Sequence, residues 1–385
     1  MSRPCRLIEI SGAPYERGLS YGRLAQPEIR AGIGHYAAQV KSLDLSDSDL
    51  SRVVESYLPK IEAFEPRYVE EMRGIAAGAD VEFHHVVMIN ARTEVLKLAA
   101  NPRLRADLLG EIEPDGCTTV VATPRAAREG RLIHAHNWDW KMESAAASVV
   151  LRIRDENGPD ILSFTEAGAL GRFGFNALGI GITANYLECD RDYTQVGVPL
   201  ALIRRQVLEQ TQYALALRSA YSTPKSGSNN IAVSHSGGGL VFNFECAPDE
   251  SFDVEPRDGL LVHANHWTSP AALAKLREKG IWAMPDSLYR ERRVRELLQD
   301  KVGGLTVADI KAALLDDWQS PWSICRPPRP STVSNLSATV ITLVMQPDLG
   351  QMEIAVLPAL DPTFTAYSLE MESAARARAD LAVDA

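Results

Sequence analysis

Apolar positions in the first hundred residues recur three and four apart. PYERGLSYGRLAQPEIRAGIGHYAAQV and YVEEMRGIAAGADV carry this spacing, so residues 13 to 99 are expected to be helical. NPRLRADLLGEIEPDG, residues 101 to 116, is rich in turn formers and reads as a connecting loop. The period then changes. CTTVVATP, RLIHAHNW, SVVLRIRD, ILSFTEAG and LGIGITAN are short β-branched runs bounded by turn residues, which is the pattern of strands. Helical spacing returns over residues 197 to 220. NNIAVSHSGGGLVFNFECA reads as a hairpin turning at Gly237, Gly238 and Gly239. ESFDVEP and GLLVHAN read as a further strand pair, joined through Arg257 and Asp258. Helices are expected at about 270 to 280, 285 to 299 and 306 to 316. SATVITLVMQ and GQMEIAVLP follow as two strands, and the tail from about 367, rich in Ala, Arg and Glu, reads as a frayed helix. Helices, then strands, then helices, then strands predict a layered α+β domain, with two antiparallel sheets covered by helices and no internal repeat.

Composition narrows this picture. The chain has 385 residues, 45% hydrophobic and 23% charged, enough for a sizeable core in one large domain or two ordinary ones. A net charge of −10 with no basic stripe argues against nucleic-acid or anionic-membrane partners. No stretch approaches the ~18 apolar residues of a transmembrane helix. The start, MSRPCRLIEISGAPYERG, holds no apolar run fit for a signal peptide, so the expected setting is cytoplasmic. Cys5, Cys117, Cys189, Cys246 and Cys325 are odd in number and widely spaced, without a C-x-x-C. Neither a disulfide framework nor a cysteine zinc site is expected, and one of the five is a candidate nucleophile.

That candidate is Cys117, directly after Gly116 and at the mouth of an apolar run. The ordinary reading of a Gly-Cys pair is a small buried residue at a strand start. The chemical reading is different. A thiol beside the preceding carbonyl can shift the acyl group from N to S, after which water completes a cleavage between Gly116 and Cys117. The new α-amine would have a reference pKa near ~7.7, suited to a general base. In HAHNWDW, Asp139 ends the next run, and a hairpin would bring it back near Cys117 to orient that amine. His134 and His136 share one strand face, as would suit a metal, but no third ligand is evident and a polar strand face is the simpler reading. In LVHANHWTS, Asn265 follows an apolar run and has an amide fit for an oxyanion hole; otherwise it is a turn residue. In SPWSICRPPRP, Arg326 stands before two prolines that fix its loop, where it could steady Asp139 or a substrate oxygen.

Taken together, GAPYERGLSYG, NARTEVL, DGCTT, HNWDW, GRFGFNALGIGITAN, HANHW and SICRPP give a resemblance that spans nearly the whole chain. The sequence resembles the acyl-coenzyme A:6-aminopenicillanic acid acyltransferase family, autoproteolytic cysteine acyltransferases and hydrolases of the N-terminal-nucleophile superfamily. The resemblance implies a four-layer αββα sandwich. It implies self-cleavage into segments 1–116 and 117–385 that stay associated as one domain. Cys117 matches the nucleophile, Asp139 the acid at its amine, Asn265 the oxyanion donor and Arg326 the arginine near the site. Asn185, Trp138 and His266 are the candidate pocket residues.

The expected function is hydrolysis or exchange of a small N-acyl or aminoacyl amide through a Cys117 thioester. The substrate would be a small-molecule amide or thioester, with no resident cofactor or metal; a homo-oligomer is left open. An acyl-coenzyme A-dependent N-acyltransferase is the nearest alternative, with acyl-coenzyme A as co-substrate. An amidase of the same superfamily that exposes its cysteine by losing a short leader fits less well with the long helical segment before Cys117. A non-catalytic binding protein on the same fold and a metal-dependent amidohydrolase using the HAH and HANH histidines are the rivals from other classes.

Overall fold

The structure is a computed structural model and describes residues 3–42, 47–99, 116–330 and 336–372. Short strand β1 (Arg6–Ser11) precedes the helices α1 (Pro14–Leu24), α2 (Gln26–Ser42), α3 (Asp47–Phe64), α4 (Pro66–Ala79), α5 (Phe83–Asn90) and α6 (Arg92–Ala99). The helical expectation for 13 to 99 holds across the described part of that range. Strand β1 was not anticipated; its polar alternate positions suit the outer edge of a sheet, with Ile8 and Ile10 turned inward. The loop expected over 101 to 115 lies outside the described residues, and Gly116 is the first residue of a strand.

Strands β2 (Gly116–Ala122), β3 (Ile133–Lys141), β4 (Ser148–Arg154), β5 (Ile161–Glu166), β6 (Phe173–Asn176) and β7 (Ile180–Tyr186) follow, then helices α7 (Leu200–Glu209) and α8 (Tyr213–Ser222). Next come β8 (Asn229–His235), β9 (Leu240–Cys246), β10 (Ser251–Asp253) and β11 (Leu260–His263). Helices α9 (Pro270–Leu273), α10 (Gly280–Ala283), α11 (Asp286–Gln299) and α12 (Val307–Leu314) precede β12 (Arg329–Pro330), β13 (Leu336–Gln346), β14 (Gln351–Val356) and β15 (Thr365–Ser368).

One sheet runs β1-β4-β5-β6-β7-β8-β9-β10, and the other runs β11-β2-β3-β13-β14-β15 with β12 on β13. All neighbours are antiparallel except β1 and β4. The two sheets face each other. Trp138 of one meets Phe164 of the other at 5.9 Å between ring centroids, and His136 meets Phe173 at 4.2 Å. Helices α7 and α8 cover the outer face of the first sheet, and α11 and α12 cover that of the second. The order is helix, sheet, sheet, helix, a four-layer αββα sandwich. The N-terminal helices extend the first helical layer, with Gly168 packed against Ile29 and Ile89.

Three sequence expectations are corrected. ESFDVEP and GLLVHAN are not partners: β10 pairs with β9 in one sheet and β11 with β2 in the other, and a single bridge from Arg257 to Leu260 marks the crossing. Leu260 and Val262 bury into the cluster under α11 and α12, so β11 supplies an apolar edge that those helices need. The helix expected at 270 to 280 is two single turns, α9 and α10, separated by a stretch in which Glu278 accepts the N–H groups of Trp267 and Ile281. The tail from 367 begins as strand β15, not helix, because Tyr367 and Leu369 are buried and the Tyr367 hydroxyl reaches the Cys5 carbonyl. Residues 373–385 lie outside the described part. No helix among the described residues is long and apolar enough to cross a membrane.

Candidate active site

Alternation along β2 and β3 sorts the site into two faces. Cys117, Thr119 and Val121 pair with Trp138, His136 and His134, and these side chains lie between the sheets. Gly116, Thr118 and Val120 pair with Asp139, Asn137 and Ala135, on the face under α11 and α12. A register shift between Thr339 and Ile341 on β13 lies opposite Asp139 and Trp138, and such bulges re-aim side chains locally.

Cys117 is 2% exposed and lines a cleft at the end of the inter-sheet layer. Its backbone N–H donates to Asn265 Oδ1 at 2.8 Å. Its carbonyl accepts from Arg290 at 2.6 Å, and the same guanidinium nitrogen reaches Thr118 Oγ1 at 2.9 Å. The other terminal nitrogen of Arg290 donates to Asn265 Oδ1 at 2.8 Å. Arg290 therefore clamps the Cys117 backbone and the Asn265 amide together. Asn265 Nδ2 donates to the Tyr186 carbonyl at 2.9 Å, which fixes the amide's rotation. The Asn265 N–H donates to Ser287 Oγ at 2.7 Å, and that hydroxyl also contacts His266 Nδ1 at 2.8 Å. Burial pushes the His266 imidazole down to about 3, so it is neutral at physiological pH.

On the helix face, Asp139 Oδ1 accepts from Thr339 at 2.7 Å. Its Oδ2 has no hydrogen-bond partner among the described residues and lies 3.5 Å from Arg326 Nε. Arg326 is 1% exposed; its backbone N–H donates to Thr339 Oγ1 at 2.8 Å, and its guanidinium pairs with Asp286. Asp286 also accepts from Arg290 Nε at 3.0 Å. Burial would raise the Asp286 carboxyl, but Arg326 and Arg290 outweigh burial and hold it below the usual carboxylate range. Asp286 is thus one carboxylate shared by two arginines, one on the Cys117 carbonyl and one beside Asp139.

Cys117, Gly116, Asp139, Asn265 and Arg326 converge in one place. The three pocket candidates do not lie on the cleft wall. Asn185 is buried behind it, accepting from Thr119 at 2.8 Å and from Asn230 at 3.1 Å. Trp138 is fully buried under Arg172, whose guanidinium carbon is 3.9 Å from the ring centroid. His266 stands behind Asn265. His134 and His136 make no metal site with a third ligand among the described residues: His134 bonds Ser234 and Thr183, and His136 bonds Thr119.

Sequence reasoning missed Arg290, Asp286 and the far wall of the cleft. That wall carries Arg92, Glu94, Thr165, Glu166, Arg172 and Arg204. A signal for Arg290 existed. Ser287, Arg290, Val294 and Leu298 follow one helical face and all are buried, so an arginine occupies a core position.

With this geometry in view, comparison with known proteins decides the family. A profile of the acyl-coenzyme A:6-aminopenicillanic acid acyl-transferase family matches residues 126–356. The chain belongs to that family. The match covers more than half of the chain and begins after Cys117. The acyl-coenzyme A:6-aminopenicillanic-acid-acyltransferase 40 kDa form of Emericella nidulans is 28% identical over 328 residues, covering 83% of this chain and 84% of its own. Among solved structures, a mutant conjugated bile acid hydrolase of Clostridium perfringens aligns at a TM-score of 0.48 and 12% identity, over 67% of this chain and 93% of its own. The N-acylethanolamine-hydrolyzing acid amidase ortholog of Caenorhabditis elegans aligns at 0.44 and 16%, over 66% of this chain and 100% of its own. Family membership makes the protein an enzyme that acts on amides or transfers acyl groups.

Proposed function

We propose that this member of the acyl-transferase family is a self-processing N-terminal-cysteine amidohydrolase or acyltransferase. The observation that carries the reading is the placement of Cys117. It follows a glycine, is the second residue of a buried strand, has its nitrogen held by Asn265 Oδ1 at 2.8 Å, and lines a cleft. In processing, the Cys117 thiol attacks the Gly116 carbonyl. The Gly116–Cys117 C–N bond breaks, the thiol proton passes to the departing nitrogen, and a thioester forms. Water then cleaves the thioester, giving a Gly116 carboxylate, a free thiol and an α-amine on Cys117.

The site supports the next stage in the same terms. Asn265 Oδ1 holds the nitrogen that becomes the amine, so the base stays on the nucleophile's own residue. Asp139 sits opposite Gly116 across the strand pair, next to the residue whose nitrogen becomes the amine, and its carboxylate suits the amine's charge. The amine takes the thiol proton as sulfur attacks an amide carbonyl. The Asn265 amide and a backbone N–H stabilise the oxyanion, worth about 3 kcal/mol per donor. The leaving amine takes the proton, and water or an incoming amine resolves the acyl-enzyme. The substrate is a small N-acyl or aminoacyl amide, and acyl-coenzyme A is the thioester co-substrate if transfer prevails. The segments 1–116 and 117–385 stay associated after cleavage, since β1 of the first pairs with β4 of the second. A cytoplasmic setting suits five free, buried thiols.

The test is turnover of a panel of N-acyl amides by wild type and by Cys117→Ala, with mass spectrometry of acid-quenched reactions. An acyl adduct on the fragment that begins at Cys117, absent from the variant along with turnover, is the expected result. Turnover by Cys117→Ala removes the nucleophile assignment. Including a free amine in the same reactions separates hydrolysis from transfer.

A further inference from the structure

Glu245 lies deep in the molecule and has no part in the chemistry derived above. It stands on β9, is fully buried, and is not among the described residues that line the cleft. Register sets it between Asn230 of β8 and Phe252 of β10, in the first sheet. Its carboxylate nevertheless reaches the second sheet. Oε1 accepts from His263 Nε2 at 2.8 Å, and His263 is the last residue of β11. The same oxygen accepts from the Thr268 N–H at 2.6 Å and from Thr268 Oγ1 at 2.7 Å. Oε2 accepts from the Ser269 N–H at 3.0 Å. Burial would raise Glu245, but its bonds from His263, Thr268 and Ser269 outweigh burial and hold it below the usual carboxylate range.

A carboxylate has about four acceptor positions, and here the donors all come from the stretch 263–269. Both ends of that stretch are tied to one group, and Asn265 lies between them. Each end is tied further. The His263 carbonyl accepts from Asn185 Nδ2 at 3.3 Å, and Ser269 Oγ accepts from Ala272 N–H at 3.4 Å, capping α9. Burying a charge is costly, and an apolar side chain on β9 could fill the same space without that cost. What the carboxylate adds is fixed geometry, through charge-assisted bonds. Asn265 needs such geometry. Its amide meets the Cys117 nitrogen at 2.8 Å and the Tyr186 carbonyl at 2.9 Å, and a drift of about 1 Å would break either bond.

We infer that Glu245 is a positioning residue, which grips His263 at one end of the loop and Thr268 and Ser269 at the other and so sets where the Asn265 amide stands relative to Cys117. Its effect on turnover rests on the reading of Asn265 as an oxyanion donor; its hold on the loop does not.

The test compares wild type with Glu245→Gln, which leaves one oxygen for all these donors, and with Thr268→Val, which removes one hydroxyl alone. Hydrogen exchange is followed at single residues by mass spectrometry. kcat and KM are measured per processed chain with the 4-nitroanilides of acetic, pentanoic and phenylacetic acid. The decisive signal is the Asn265 N–H, which bonds Ser287 and not Glu245. Its exchange should quicken about tenfold or more in Glu245→Gln and about threefold or more in Thr268→Val, with β5 exchanging as in wild type. In Glu245→Gln kcat should fall about tenfold or more, with KM within about threefold of wild type. If Glu245→Gln does not fold, Thr268→Val decides alone. Unchanged exchange at Asn265 overturns the inference, and so does exchange that quickens equally in β5, which would make Glu245 a support of the whole fold. Faster exchange at Asn265 with kcat unchanged leaves the hold of Glu245 standing and removes Asn265 from the oxyanion hole. Faster exchange there, with no anilide cleaved by wild type, likewise upholds the inference and counts against the amide chemistry.

Discussion

A β-carbon on Gly116 would meet Asp139 Cβ and Oδ2 at 2.9 Å and Arg326 at 3.2 Å, so the residue before Cys117 is glycine for lack of room. Gly116→Ala should displace Asp139 and slow self-cleavage tenfold or more while the chain still folds, read as the fraction of uncut chain over time on denaturing gels. Cleavage at the wild-type rate would mean that this close approach plays no part in processing. Arg290 makes the complementary case. It holds the Cys117 carbonyl, Thr118 and Asn265 at once, and its loss would leave Asn265 Oδ1 with one donor fewer and Asp286 with one arginine fewer. Arg290→Gln should lower kcat about a hundredfold, on the order of 3 kcal/mol, with a smaller change in KM. Cys117, Asp139, Asn265 and Arg326 were legible because each stands in a short motif with its own chemical rationale. Arg290 was not, because LYRERRVRELL offers several arginines and only the buried face of the folded helix distinguishes one of them.

Among the elements, β2 and β3 were the most legible, since alternation and length leave little choice for CTTVVATP and RLIHAHNW. Strand partners were less so. Period two identifies a strand but not its neighbour, so GLLVHAN was assigned to the segment next to it in the chain rather than to β2. The helix pair α1 and α4 shows what spacing cannot convey. Gly18 and Gly22 of α1 face Gly74 and Gly78 of α4, and the backbones touch there: a β-carbon on Gly74 would lie 2.1 Å from the Tyr15 carbonyl. Arg17 and Arg205 close on Glu71 beside this contact, at 2.6 Å and 3.5 Å. Gly74→Ala should force the helices apart and cost about 1–3 kcal/mol. Urea denaturation would read this as a lower midpoint at an unchanged slope; an unshifted midpoint would show that the contact yields without cost.

For the whole molecule, the space between the sheets is polar as well as apolar, and this sets its response to acid. Burial pushes His134 down to about 3 and His136 well below the ordinary imidazole range, and His266 behind Asn265 also falls to about 3. A histidine with a depressed folded pKa is neutral when folded and charged when unfolded between the two values. The unfolded state then binds more protons, and stability falls as pH drops from about 6.5 towards 3. Each such group contributes about 1.4 kcal/mol per pH unit in that window. Asp286 and Glu166, held below the usual carboxylate range by arginines that outweigh burial, act in the same direction at lower pH. Urea melts at pH 7 and pH 4.5 should show a large loss of stability at the lower pH, and equal stability would mean that these imidazoles are not buried neutral. The αββα layering was legible from the order of periods along the chain, whereas the charged wall of the cleft was not. Arg92 and Glu94 stand on α6, Thr165 and Glu166 on β5, Arg172 between β5 and β6 and Arg204 on α7, and only the folded chain brings them together. The central claim concerns one bond in this molecule. Intact mass of freshly purified protein under denaturing conditions tests it most directly. The account predicts two components, the larger beginning at Cys117, whose masses together equal the 42.2 kDa chain plus one water. A single component at 42.2 kDa in protein that hydrolyses amides would contradict it.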